Sequence, residues 1–201
     1  MIYPMDLAMV NDGSPPADYA LECIRGGFGM TDVVSTEVIA QTESLFDRDG
    51  FVLLGCDVLE RDVAEKLAGY WSSGGPIILD QVPTTGTDGA PLDLPWSFED
   101  IEPRTLPGLE DCAYRLVQND RGKPGPAVML DFDLNEVYRT AVEEDQFERA
   151  ATLRRGIAMI LSCDGAMPSR SSCLADDAAG QMEAGLRTCK DAVIIIAVNH
   201  L

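Results

Sequence analysis

The chain has 201 residues, 46% of them hydrophobic, with 34 acidic side chains against 15 basic ones, one histidine and a formal charge of −19. That apolar content supports a buried core and excludes disorder as the dominant state. The negative surface repels phosphate backbones and anionic membranes, so direct nucleic-acid binding is disfavoured. The six cysteines, Cys23, Cys56, Cys112, Cys163, Cys173 and Cys189, include no CxxC pair, and the histidine is His200. No metal site and no cofactor is expected from them, and the thiols are read as reduced and buried.

The opening MIYPMDLAMVND lacks a basic region followed by an apolar run, and no apolar run is long enough to span a bilayer. The expectation is a soluble protein of the cytoplasm, or of an organelle stroma or matrix, that is not secreted. Pro15 and Pro16 lead into ADYALECIR, a first helix that stops at Gly26 and Gly27. Thr31 reads as the cap of a second helix with Val34, Val38, Ile39, Leu45 and Phe46 as its buried stripe, ended by DRDG at 47–50. Phe51 to Cys56, FVLLGC, is a continuous apolar run that predicts a strand buried on both faces. Asp57 and Glu60 then form a capping box for a helix carrying Leu59, Val63, Leu67 and Tyr70. Ser72 to Gly75 breaks that helix before a second strand, Pro76 to Leu79, and the strand, helix, strand order predicts a right-handed parallel crossover.

From Gln81 to Pro107 the composition turns to Pro, Gly, Thr and Asp, a long loop with Trp96, Phe98 and Ile101 as anchors. A short helix over Leu109 to Val117, a turn from Asn119 to Pro126 and a third strand, Ala127 to Leu130, follow. Leu134, Val137, Tyr138, Ala141 and Val142 then recur at steps of three and four. The pattern returns at Phe147, Ala150, Ala151, Leu153, Ile157 and Ile160 after the polar stretch 143–146. Two amphipathic helices folded back on each other are expected. A further helix from Cys173 to Cys189 and a strand from Ala192 to Val198 complete the chain. The fold class is α/β, helix-rich, with a small mixed or parallel sheet from 51–56, 76–79, 127–130 and 192–198 and a helical hairpin. The expected organisation is an α/β part over 1–125 and the hairpin with the last helix and strand over 126–201, or one continuous domain.

Two short patterns are read as structure and not as ligand sites. Arg25 to Gly29, RGGFG, follows a helix where a dinucleotide fold places a strand, so it is a helix stop. Asp47, Asp49 and Gly50 have the spacing of the middle of a calcium loop, but Leu45 and Cys56 occupy its first and last ligand positions, so they form a turn.

Glu144, Phe147, Glu148, Ala150, Ala151, Leu153 and Arg154, within EEDQFERAATLRR, resemble the UVR motif shared by UvrB, UvrC and the regulators and adaptors of Clp proteases. The resemblance covers 131–161 only. It implies a helical hairpin that docks on another protein, with Phe147, Glu148, Ala151, Leu153, Arg154 and Arg155 as the binding residues. Upstream, Val128 to Leu130 followed by Asp131 and Asp133 resembles the opening motif of haloacid-dehalogenase-like phosphotransferases, which implies a nucleophilic and a proton-moving carboxylate with magnesium. Asp133 also has a simpler reading, since with Glu136 it forms a capping box for the first hairpin helix. The function expected from the sequence is therefore an acidic interaction protein, an adaptor or assembly component whose partner is another protein, a larger complex or Clp-type protease machinery. The alternatives are a magnesium-dependent phosphohydrolase using Asp131 and Asp133, and an acidic DNA mimic or decoy for a basic partner.

Overall fold

Short apolar runs form the centre of a sheet here because strands covered on both faces need no polar alternation. A computed structural model describes residues 7–11, 18–28, 31–45, 48, 50–117, 124–163, 182–189 and 192–199. Its first half runs β1 (Leu7–Asn11), α1 (Asp18–Phe28), β2 (Thr31–Ser35), α2 (Thr36–Gln41), β3 (Gly50–Leu53), β4 (Val58–Leu59), α3 (Arg61–Ser72) and β5 (Ile77–Leu79). The second half runs β6 (Thr85–Gly86), β7 (Arg104–Leu106), β8 (Leu109–Val117), β9 (Ala127–Leu130), α4 (Leu134–Glu143), α5 (Phe147–Cys163), β10 (Met182–Cys189) and β11 (Ala192–Asn199). Seven strands form one sheet in the order β2-β1-β3-β5-β9-β8-β7. The first five are parallel, and β8 and β7 continue the sheet antiparallel.

Side-chain alternation along the strands divides the core in two. Val52, Ile78, Val128 and Leu130 point to one face, beneath α1, α4 and α5. Phe51, Leu53, Ile77, Leu79 and Ala127 point to the other, beneath α2 and α3 and the anchors Trp96 and Phe98. The right-handed crossover rule explains the division, because the chain moves one way across the sheet from β1 to β2 and the opposite way from β2 to β3 to β5. The α/β class, the parallel 51–79 crossover, the strand at 127–130 and the hairpin all stand as expected from the sequence.

Several elements differ from expectation, each for a local reason. Thr31 does not cap a helix; Thr31, Val33 and Val34 are β-branched and pair with β1, so the helix starts only at Thr36. Its expected stripe is broken, since Val38 is 53% exposed while Ile39 is buried. Lys66 holds this short helix from α3, donating from Nζ to the carbonyls of Ile39, Ala40 and Thr42 at its open end. The Asp57 and Glu60 capping box does not form: Val58 and Leu59 pair with β6, and Glu60 is an N-cap without a side-chain bond.

Leu109 to Val117 is not a helix but the long strand β8, whose Cys112, Tyr114 and Leu116 are buried between less buried neighbours, a period of two. Residues 182–189 form a strand where a helix was expected, and 173–181 lie outside the described residues. The strand at 192–198 is present as β11, but it pairs with β10 in a separate antiparallel ribbon and not with the main sheet. Among the described residues no helix is long and apolar enough to cross a membrane.

The hairpin is built as the sequence implies. Asp133 Oδ1 accepts from the Glu136 N–H at 2.9 Å, capping α4, while Glu136 pairs with Arg139 instead of reaching back. The turn closes through the Asp145 N–H to the Val142 carbonyl and the Gln146 N–H to the Ala141 carbonyl, with Asp145 at φ 56°. Its apolar face is already occupied: Leu134, Tyr138, Ala141, Ala150, Leu153, Ile157 and Ile160 are buried with α1 and the sheet. A polar knot ties the three helices. Glu22 Oε1 accepts from the Tyr138 hydroxyl at 3.1 Å and from Arg154 Nη2 at 2.9 Å, and the Arg154 guanidinium lies 5.2 Å from the Tyr138 ring centroid.

Candidate functional site

In open parallel sheets ligands bind outside the carboxyl ends of the strands, at the point where the strand order reverses. Here β1 is that point, since the chain proceeds to β2 on one side and β3 lies on the other. Four acids collect along this edge. Asp57 follows β3, Asp80 follows β5, and Asp131 and Asp133 follow β9.

Each has a defined setting. Gly55 adopts φ 68°, a left-handed conformation that favours glycine even though no atom crowds its missing side chain. This turn aims the Gly55 N–H at Asp80, 3.0 and 3.1 Å from the two carboxylate oxygens. Burial pushes the Asp80 carboxyl above its ordinary value; the Gly55 N–H opposes that shift and the charge of Asp133 adds to it. Asp57 Oδ1 accepts from Gln81 Nε2 at 3.0 Å. Asp131 pairs with Arg115 at 3.0 Å, and Asp133 is the α4 cap. On the neighbouring helix, the Ala20 N–H near the start of α1 is taken by Asn135 Oδ1 at 3.1 Å.

Chemically the edge is rich in acceptors, with Gln81 and Arg115 as side-chain donors. Four carboxylates repel phosphate and other anions, and an amide of the first turn of α1, where a phosphate would seat, is already satisfied. The set suits a neutral ligand with several hydroxyl donors. Among the described residues no group of three or more His, Cys, Asp and Glu is placed to hold a metal ion.

The titration of Asp80 gives a testable sign. A carboxyl raised in the fold contributes stability that is present below pH 3.8 and lost as the pH climbs through the raised value. Asp80→Asn is therefore expected to match the parent protein in thermal unfolding near pH 3 and to exceed it at pH 7. A difference that stays constant or reverses would remove burial as the dominant influence on this group.

The residues expected from the sequence are divided by the structure. Asp131 and Asp133 do come together at one strand end, but the first is engaged by Arg115 and the second by the α4 backbone. Phe147 is 68% exposed, and Glu148 and Arg155 are exposed. Ala151 is half-buried, Leu153 is fully buried, and Arg154 turns inward to Glu22 and Tyr138. Gly55, Asp57, Asp80, Gln81 and Arg115 were missed by sequence reasoning. Their signal was an acid within a few residues of each apolar strand, in FVLLGCD, IILD and VMLD.

The fold and edge define an open, doubly wound α/β protein with an acidic rim at the carboxyl ends of its parallel strands. No protein-family model matches the chain, and no curated protein does. Among solved structures it is similar to the β-galactosidase of Rahnella sp. R3, with a TM-score of 0.58 at 11% identity, covering 98% of this chain and 36% of that one. It is also similar to the β-galactosidase of Bacillus circulans sp. alkalophilus, with a TM-score of 0.54 at 12% identity and coverages of 98% and 36%. A GH42 β-galactosidase, Gan42B, aligns at 0.49 with 11% identity, covering 98% and 35%.

The chain thus spans about a third of the length of these galactosidases, and the likeness is one of fold. In that fold the hairpin is two helices of a layered α/β body with their apolar face in its core. The UVR resemblance and the adaptor function drawn from it are corrected accordingly, as are the phosphohydrolase and decoy alternatives: over 98% of the chain the fold is similar to that of β-galactosidase structures. Among the described residues the sheet is open, with edge strands β2 and β7, and is not a closed eight-stranded barrel.

Proposed function

We propose that the chain is an α/β portion of a glycoside-hydrolase-type protein, one that holds carbohydrate at the carboxyl edge of its sheet while bond cleavage belongs to another part of the assembly. The observation that carries this is the similarity of fold over 98% of the chain to β-galactosidases of which it covers 36%. Local chemistry supports the division of labour. Glycoside cleavage usually needs two available carboxylates flanking the bond, and here all four are engaged, Asp57 by Gln81, Asp131 by Arg115, Asp133 by the α4 backbone and Asp80 by the Gly55 N–H. Carboxylate, amide and guanidinium groups around a water-accessible edge are suited to sugar hydroxyls and disfavour anionic ligands. Burial of the Cys23, Cys56 and Cys112 side chains is in keeping with reduced thiols in an intracellular setting.

The test is a titration of isotopically labelled protein with galactose. Amide resonances of Gly55, Asp80 and Gln81 are expected to shift, and the chain alone should release no nitrophenol from a nitrophenyl β-galactoside. Absence of any shift at the edge would overturn the binding role. Turnover abolished by Asp80→Asn would overturn the assignment of cleavage to another part.

A further inference from the structure

The long segment 81–107 and the acidic edge share one cation. Arg115, on β8, donates from Nε to Asp131 Oδ2 at 3.0 Å and from Nη1 to the Phe98 carbonyl at 3.2 Å. Asp131 is fixed by its backbone as well, its N–H donating to the Ala113 carbonyl at 2.8 Å, so the guanidinium sets the direction of a carboxylate whose position is already given. On the other side, Trp96 and Phe98 are buried against the α3 face, and the Ile101 N–H donates to the same Phe98 carbonyl at 3.1 Å. The segment is also tied to the edge at its start, where Gln81 bonds Asp57 and the Thr84 N–H reaches the Asp57 carbonyl.

A guanidinium presents several donors in a rigid planar fork, so one side chain holds two acceptors at fixed relative positions; an ammonium on a flexible stem does not impose that relation. We propose that Arg115 is a positioning residue that couples Asp131 at the carboxyl edge to the strap around Phe98, so that a neutral sugar seated on Asp131 tightens the strap. This rests on the carbohydrate-binding reading. The pair is partly exposed, with side-chain accessibilities of 32% and 24%, so a ligand hydroxyl can approach the carboxylate without dismantling the ion pair.

The experiment is a double-mutant cycle on the full chain, read by hydrogen exchange of the Ile101 amide. Asp131→Asn and Arg115→Gln should each speed exchange roughly threefold or more, and the double variant should be no faster than Arg115→Gln alone, the signature of a shared pathway. Two independent structural roles would instead multiply, and that result, or an unchanged Ile101 in Asp131→Asn, overturns the proposal. Arg115→Lys guards against simple misfolding: it should melt close to the parent protein and still lose the coupling. Galactose should slow Ile101 exchange in the parent protein and not in Arg115→Gln. A parent protein that gives no galactose effect anywhere would refute the sugar reading, while the ligand-free cycle would still decide whether Arg115 couples edge to strap.

Discussion

Gly125→Ala should leave the protein severely destabilised, by roughly 3 kcal/mol or more, the upper end for overpacking. A Cβ on Gly125 would lie 2.3 Å from the Gly75 carbonyl oxygen and 2.7 Å from the carbonyl carbons of Gly74 and Gly75. All three are backbone atoms, so no rotamer change relieves the clash. The Gly125 N–H donates to the Trp71 carbonyl at 2.7 Å, and one residue on, the Pro126 carbonyl receives the Ile77 N–H at 3.0 Å. The end of α3, the start of β5 and the entry to β9 therefore meet backbone to backbone at this point. Pushing them apart unpairs β9 from β5 and displaces the strand end that carries Asp131 and Asp133. Against a total stability of about 5–15 kcal/mol for a typical domain, such a loss is severe. Gly69→Ala is the internal control: it lies within α3 with nothing within 4 Å of the added carbon, so it should gain up to about 1 kcal/mol. Urea unfolding of both variants decides the matter, and a Gly125→Ala midpoint close to that of the parent protein would contradict the close approach.

What the sequence disclosed was whatever a single element determines by itself. FVLLGC and PIIL are continuous apolar runs separated by a helix-length stretch, so the parallel crossover of β3 and β5 was readable before any strand order was known. The hairpin was readable because two stripes flank an acidic turn. Elements decided by partners were not. TDVVS is a strand because β1 lies beside it, and LEDCAYRLV alternates only from Cys112 onward, its first three residues being equally consistent with a helical turn. The acidic edge was hidden for the same reason. Gly55 and Asp80 stand 25 positions apart and Arg115 and Asp131 stand 16 apart, so no local pattern joins them. The UVR resemblance misled because Ala, Leu, Glu and Arg are the residues any stable helix favours.

Leu153→Ala is expected to cost roughly 2–5 kcal/mol, while Phe147→Ala should stay within about 0.5 kcal/mol of the parent protein. Both residues belong to the stripe read from the sequence, six positions apart on α5. A helix advances about 100° per residue, so two steps of three leave Phe147 lagging Leu153 by about 120°. Ala150, Leu153, Ile157 and Ile160 consequently face α1 and the sheet, whereas Phe147, the first residue of its helix, stands 68% exposed beyond the core. A docking hairpin would present Phe147 and Leu153 on one accessible face, and truncating either would then spare stability. Urea unfolding of the two variants separates the cases: equal small effects would return the hairpin to the surface. A large loss at Leu153 alone fixes it as core, since a side chain with no accessible surface cannot meet a partner without the helix first leaving the sheet.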